Sequence, residues 1–249
     1  MSLWRLEWLR LTRSHRLLGL LAVYLFFGLT GPVVAHYLPD ILERFGGDIV
    51  IQLPEVSPAD GMTQYTANAN QIGLLVAVIL VAGALVMDAM PEMSIFLRTR
   101  VPSTWRLLSP RLGMSAAAVA AAFLLGLAGA WYETVVLIGP LPAAAVVIGA
   151  GCMLVYLGFV VALVAAVGAA TGAVLATVAI VVVALLVLPI VGVIETVGRW
   201  LPSHLVGALD ALVRDLHPWT EYLPAAVVTI VLTTGLAWLA TRVSAAREL

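Results

Sequence analysis

The residue types that usually carry out catalysis are sparse in this sequence and follow no catalytic pattern. Histidine occurs four times, at positions 15, 36, 204 and 217, and Cys152 is the single cysteine. The sequence contains no H-E-x-x-H zinc motif and no G-x-S-x-G nucleophile motif. All 13 basic residues are arginines, so the lysine-containing P-loop that binds nucleotide phosphates is missing. We therefore expect no catalytic residue, no metal site and no ATPase site in this chain.

The chemistry that the sequence does offer is binding, and it is concentrated between residues 90 and 112. This segment combines four arginines and one acidic residue with two large aromatic side chains. Arginine and aromatic residues are enriched at the hot spots of protein interfaces. The candidate binding residues are Glu92, Phe96, Arg98, Arg100, Trp105 and Arg106. The basic flank of a membrane helix would explain several of the arginines. It would not explain two aromatic residues in a segment that should be hydrated.

The elements around this segment have the composition of a membrane protein. The chain is 62% hydrophobic and 11% charged, with a mean hydropathy of +1.07, whereas soluble domains are about 25% charged. Windows apolar and long enough to cross about 30 Å of hydrocarbon lie at residues 17–38, 71–89, 113–132, 143–168, 172–194 and 222–241. We predict a single all-α transmembrane domain over residues 1–249, with six transmembrane helices and a hairpin near Gly168–Gly172 between the fourth and the fifth.

Arginine placement predicts how these helices are oriented. With the N-terminus inside, only Arg44, Arg199 and Arg214 of the 13 arginines fall outside the cell. Cytoplasmic segments carry an excess of arginine in membrane proteins. We therefore predict a multi-pass protein of the cell membrane whose termini and whose 90–112 loop are cytoplasmic.

Three predicted helical segments lie outside the spans, and two of them precede the first and the second span. Residues 1–16 place Trp4, Trp8 and Leu11 on one face, which is typical of an amphipathic helix in the membrane interface. A plain positively charged flank is the alternative. Before the second span, Ser57 and Pro58 predict the start of a helix that continues into that span.

The segment 195–221 is predicted to be extracytoplasmic and helical. Between Ser203 and Leu216 the leucines recur at helical spacing, opposite Asp210 and Arg214. The pattern predicts an amphipathic helix that lies on the membrane surface or re-enters it, just before the last span. The apolar face of this helix consists of Leu205, Leu209, Leu212 and Leu216.

No ionisable residue lies near the middle of a predicted span. Ion-coupled carriers usually place their coupling groups near the midplane, so the sequence argues against that class. A charge-free interior favours an apolar or amphiphilic cargo. Energy for transport would then have to enter through the cytoplasmic face, where the 90–112 loop is the large internal segment.

The order of these features resembles the ABC-2 type permeases, which are the membrane subunits of ATP-binding-cassette exporters. The likeness runs over nearly the whole chain: the arginine-bearing interfacial helix, the Pro-rich stretch 53–60 before the second span, and the cytoplasmic stretch 96–103, in which Pro102 and Ser103 precede a basic residue. Here Trp105 comes before that residue, Arg106, and Arg111 stands where the family has a later lysine.

The resemblance implies a permease that forms half of an export pathway and is driven by a separate ATPase. Two permease subunits, identical or paralogous, would pair with two ATPase subunits that bind the ATP and Mg²⁺, and the 90–112 loop would act as the coupling helix. The permease itself would sit in the lipid bilayer, hold no cofactor and bind no nucleic acid. A non-transport assembly or regulatory subunit, an intramembrane enzyme and an ion-coupled carrier are the alternatives.

Overall fold

The structure, a computed structural model, describes residues 3–45, 56–86 and 104–246. Regular structure in these ranges is helical throughout. Its elements are α1 (Leu3–Arg13), α2 (Arg16–Phe45), α3 (Pro58–Asn68), a π-helical turn (Ala69–Gly73), α4 (Leu74–Leu85), α5 (Thr104–Leu137), α6 (Ala143–Thr171), α7 (Val174–Val191), α8 (Glu195–Gly198), a first 3₁₀ helix (Pro202–Gly207), α9 (Ala208–Val213), a second 3₁₀ helix (Trp219–Tyr222) and α10 (Leu223–Ala246). Six helical stretches are long and apolar enough to cross a membrane. The predicted all-α, six-span class is therefore confirmed.

The turn between the fourth and fifth spans lies where its glycines predicted it. Helix α6 ends at Thr171, and Gly172 adopts a left-handed conformation with φ of 69°. Glycine is the residue that takes this conformation without steric cost, and it commonly ends helices in this way. Helix α7 then runs back from Val174 over 18 residues.

Ser57 and Pro58 begin the helix that was predicted before the second span. The backbone N–H of Ser57 donates to the Asp60 carboxylate over 2.7 Å, which closes a capping box, and Pro58 occupies the first helical position. Helix α3 continues through the π-helical turn into α4, so one helical segment links the loop to the membrane. In the π-helical turn the Leu74 N–H bonds to the Ala69 carbonyl five residues back. Turns of this kind are rare and frequently occur at functional sites.

Helices α2 and α5 approach closely through two glycines. A Cβ atom at Gly28 would collide with the Gly126 carbonyl, and one at Gly126 would collide with the Tyr24 carbonyl. Small residues of this kind permit tight helix contacts in membranes. Next to the crossing, the Tyr65 hydroxyl donates to the Phe123 carbonyl over 2.7 Å. This contact joins the second span to the α2–α5 pair.

Burial separates the inner helices of the bundle from its outer ones. In the most apolar window of α6, 56% of the residues are buried, against 11% in α7 and 17% in the last span. Apolar side chains of α7 and α10 therefore cover the surface of the bundle, where lipid or another membrane helix would contact them.

The predicted amphipathic helix over Ser203–Leu216 is two shorter helices. Its leucines at positions 205, 209 and 212 are buried as the pattern predicts, but Leu216 is 61% exposed. The pattern fails at Leu216 because α9 ends at Val213 and Asp215 turns the chain with φ of 54°. Against α6, a Cβ at Gly149 would lie 2.6 Å from the Cα of Leu209, so this glycine lets α9 pack tightly.

Candidate functional site

The structure places two of the six predicted coupling residues, Trp105 and Arg106, in the first turn of α5. The other four, at positions 92, 96, 98 and 100, lie outside the described residues. The sequence predicted a loop up to residue 112, but the helix already begins at Thr104. Trp105 is 53% exposed, and Arg106 is exposed beside it. Leu107 and Leu108 are buried, so α5 enters the bundle directly after these two side chains.

A buried ion pair connects α1 to α5 near the N-terminal end of α5. The Nε of Arg111 donates to Oε1 of Glu7 over 3.0 Å, and both residues are almost completely buried. Arg10 approaches the same carboxylate at 3.9 Å. Arg111 lies about 9 Å along the helix from Trp105 at 1.5 Å per residue. Helix α1 and the first turns of α5 are therefore tied together.

Trp4 adds an apolar contact to this attachment. A Cβ at Gly113 would lie 2.7 Å from the Trp4 ring, so the ring packs directly against the surface of α5. Trp4 and Trp8 remain 52% exposed. The predicted helix is present, and Glu7 is its most buried residue.

On the opposite side of the bundle, Arg214 connects α9 to α3. Its Nη2 donates to Asp60 over 2.6 Å, and its Nε donates to Asp210 over 2.8 Å. The Thr63 hydroxyl also donates a hydrogen bond to Asp210. The hydrogen bonds to Asp60 and Asp210 raise the pKa of the Arg214 guanidinium above its ordinary value. Because these groups are partly exposed, the network fixes geometry more than it adds stability.

His204 is a second polar feature of this side. Its ring stacks on that of Tyr222 with centroids 5.0 Å apart. Its Nε2 is buried without a hydrogen-bond partner among the residues that the structure describes. Burial lowers the pKa of the imidazole below its ordinary value, and the charge of Glu221 opposes this shift.

Acidification should therefore destabilise the fold through His204. The unfolded chain binds a proton at His204 more readily than the folded chain does, so stability falls as the pH drops below about 6.5. We expect His204→Phe, which keeps the ring stack, to flatten the dependence of the melting temperature on pH between about 7.5 and 5. His15→Asn, at an exposed position far from His204 where asparagine tolerates the positive φ, is the control and should leave the dependence in place. An unchanged slope in His204→Phe would contradict this interpretation.

A cavity of about 470 Å³ lies between the second span, α6, α7 and the first 3₁₀ helix. This volume falls in the range of about 300–1,000 Å³ that small-molecule sites occupy. Asn70 and Gln71 from the π-helical turn line it with polar groups, together with Ser203 and Tyr156, and most of its other lining residues are aliphatic. No charged side chain lines the cavity among the described residues. The arrangement can hold an uncharged molecule.

No family model matches the sequence, and no curated protein or solved structure matches it at a significant level. Among the described residues, no three His, Cys, Asp or Glu side chains are grouped so that they could hold a metal ion.

Two features of the structure were missed by reasoning from the sequence. The first is the Glu7–Arg111 pair, although Glu7 is the one acidic residue among the arginines of the first 16 positions, and such an isolated charge indicates a partner. The second is the cavity. Nothing in the sequence around its polar residues Asn70 and Gln71 indicates that they form a π-helical turn.

Proposed function

We propose that this chain is the membrane subunit of an ATP-binding-cassette exporter, driven by a separate ATPase that binds its cytoplasmic face. The observation that carries the proposal is the attachment of α1 to α5 beside the exposed Trp105 and Arg106. A force applied to these two side chains would act on a helix of 34 residues, long enough to cross the membrane. Through Glu7 and Arg111 the same force would reach the interfacial helix.

This arrangement supports a subunit that receives mechanical work rather than one that generates it. The sequence contains no P-loop lysine, so ATP and Mg²⁺ would bind to the partner ATPase. Two such membrane subunits, identical or paralogous, would form the complete pathway with two ATPases. Residues 92, 96, 98 and 100 would extend the binding surface that begins at Trp105.

Isolation of the complex tests the proposal directly. The tagged chain should be purified from its native membranes in mild detergent and its partners identified by mass spectrometry. We expect a P-loop ATPase in the complex and vanadate-sensitive ATP hydrolysis by the complex, with no hydrolysis by the chain alone. A partner variant without the P-loop lysine should still bind the chain but should not hydrolyse ATP. Absence of any ATPase from the complex, or hydrolysis by the rigorously purified chain, would contradict the proposal.

The proposal also requires that the 104–112 end of α5 is cytoplasmic, as the arginine distribution favours. In a Cys152→Ala background, Ala246→Cys at the end of α10 should be shielded from an impermeant thiol reagent in intact cells. Val197→Cys, which is exposed in α8, should be labelled. Permeabilised cells, in which both should react, provide the control. The reverse labelling pattern would exclude a cytoplasmic ATPase as the partner of Trp105 and Arg106.

A further inference from the structure

Arg16, the first residue of α2, carries a charge that no described part of the chain neutralises. Its guanidinium forms no ion pair or hydrogen bond with another described residue, and its side chain is partly buried. It lines the narrow groove between α1, α2, α4 and α5, where most of its neighbours are aliphatic. A charge that is partly removed from water without a counter-ion is unfavourable. An anion that paired with Arg16 would therefore be stabilised there.

Helix α4 holds the Arg16 guanidinium in a defined orientation. A Cβ atom at Gly83 would lie 3.7 Å from Cζ, Nη1 and Nη2 of Arg16 alike. Three equal distances mean that the flat face of the group, and not its edge, packs against α4. The N–H groups point outward along the edges, which this contact leaves open to acceptors. A guanidinium binds phosphate through two parallel hydrogen bonds from such an edge.

The charges around Arg16 favour an anionic ligand. The first 16 residues contain four arginines and one acidic residue, Glu7, which gives their side chains a formal charge of +3. Glu7 is already held by Arg111 over 3.0 Å. Arg10 is near enough for its positive charge to act on Arg16. The combined positive potential attracts a negatively charged group and repels a cation.

Arg16 lies at the depth at which a bilayer carries its phosphates. The apolar stretch that it begins, Arg16–Leu42, has 27 residues and is about 40 Å long at 1.5 Å per residue. The hydrocarbon core is about 30 Å thick, and the headgroup regions bring the bilayer to about 40–45 Å. The first residue of this stretch therefore falls among the headgroups.

An apolar surface continues from this position towards the middle of the membrane. Ile79 and Leu75 precede Gly83 by four and eight residues, so they lie on the same face of α4 as the guanidinium contact. They are 45% and 42% exposed. At 1.5 Å per residue they lie about 6 and 12 Å deeper than Gly83. A molecule with a phosphate at Arg16 could therefore place an acyl chain against them.

We propose that Arg16 and α4 bind one anionic phospholipid. Its phosphate accepts two hydrogen bonds from the Arg16 guanidinium, and an acyl chain lies along Ile79 and Leu75. The groove behind Arg16 has a volume of only about 20 Å³, so the lipid binds to the outer surface of the bundle and does not enter it. The bound lipid would connect α2 to α4 beside α1. This binding does not depend on the proposed transport function, so the two proposals can fail separately.

Native mass spectrometry of the full chain in a neutral detergent tests the site. The anionic probe is phosphatidylglycerol. Phosphatidylcholine with the same acyl chains is the neutral comparison, because its choline group balances the phosphate, and inorganic phosphate is the free anion. We expect one phosphatidylglycerol to bind about tenfold more tightly than phosphatidylcholine, and inorganic phosphate at the same concentration not to bind. Equal binding of the two lipids, or equal binding of inorganic phosphate, would overturn the proposal.

Two neutral replacements separate Arg16 from the general positive charge of this end. Arg16→Gln should weaken phosphatidylglycerol binding by about tenfold, because the two hydrogen bonds to a charged group are lost. Arg13→Gln removes the same charge from an exposed position three residues earlier and should weaken binding by less than about threefold. An equal loss in the two variants would show a non-specific attraction to the arginines and would contradict the assignment.

Thermal unfolding distinguishes a lipid ligand from a partner within the protein. Phosphatidylglycerol should raise the melting temperature of the unsubstituted chain and of Arg13→Gln, but not that of Arg16→Gln. Without lipid, Arg16→Gln should melt no lower than the unsubstituted chain, because it removes a partly buried charge without a counter-ion. A lower melting temperature would show that the guanidinium is already paired within the protein, and the lipid site would then be excluded.

Discussion

Replacing Arg111 with methionine will lower the melting temperature of the detergent-solubilised chain by about 10 °C. The Arg111 side chain is 6% exposed and holds the Glu7 carboxylate at 3.0 Å. Removing one partner of a buried ion pair typically costs about 3–5 kcal/mol, and Arg10, which lies 3.9 Å from the same carboxylate, should hold the loss near the lower end of this range. Differential scanning fluorimetry or the temperature dependence of helical circular dichroism measures the change.

Two further variants establish that the ion pair causes this effect. Arg13→Met makes the same replacement at an exposed position of α1 and should change stability by less than about 1 kcal/mol. The double variant Glu7→Gln with Arg111→Met should be less destabilised than the sum of the two single variants, because both remove the same interaction. Additive losses would show that Arg111 acts through other contacts, and the attachment of α1 to α5 would then not depend on this pair.

The sequence predicted those parts of the fold that depend on local chemistry. Long apolar windows gave the six spans because a bilayer requires internally satisfied backbone over a fixed thickness. Ser57 and Pro58 marked a helix start through capping, and Gly172 marked a turn through its access to positive φ. Each of these rules involves residues only a few positions apart.

The features that the sequence did not predict depend on contacts between distant residues. Glu7 and Arg111 are 104 positions apart, and periodicity within α1 could not identify the residue of α5 that faces it. Leu216 fits the leucine pattern of α9 but is exposed, because the chain turns at Asp215. The cavity requires α7 and the first 3₁₀ helix to meet the π-helical turn, which is a property of packing rather than of local sequence.

The binding surface predicted in the 90–112 segment is the part of the sequence argument with the greatest functional consequence. The structure shows that Trp105 and Arg106 lie at the start of a membrane-spanning helix. A partner that binds these two side chains would therefore act on α5 without an intervening flexible segment. Phe96, Arg98 and Arg100 stay a prediction from the sequence, because they lie outside the described residues.

Trp105→Ala should weaken binding of the proposed partner ATPase by about tenfold or more while leaving the chain folded and inserted. Truncation of a hot-spot tryptophan commonly costs about 2 kcal/mol or more, and each 1.4 kcal/mol corresponds to a tenfold change in affinity. The side chain is 53% exposed, so its loss should leave little cavity in the bundle and cause only a small change in melting temperature. Co-purification across a range of ATPase concentrations measures the loss.

Trp219→Ala is the matched control, because Trp219 is 52% exposed at the opposite end of the bundle, where the arginine distribution predicts the extracytoplasmic side. It removes the same side chain with the same loss of apolar surface, so any general effect on solubility or insertion should appear equally in both variants. Only Trp105→Ala should impair ATPase binding, and Arg106→Glu should act in the same direction because it reverses a charge beside Trp105. Equal binding by the Trp105 and Trp219 variants would show that α5 is not part of the ATPase interface. Residues 90–103 would then be the remaining segment of the predicted loop that could form this interface.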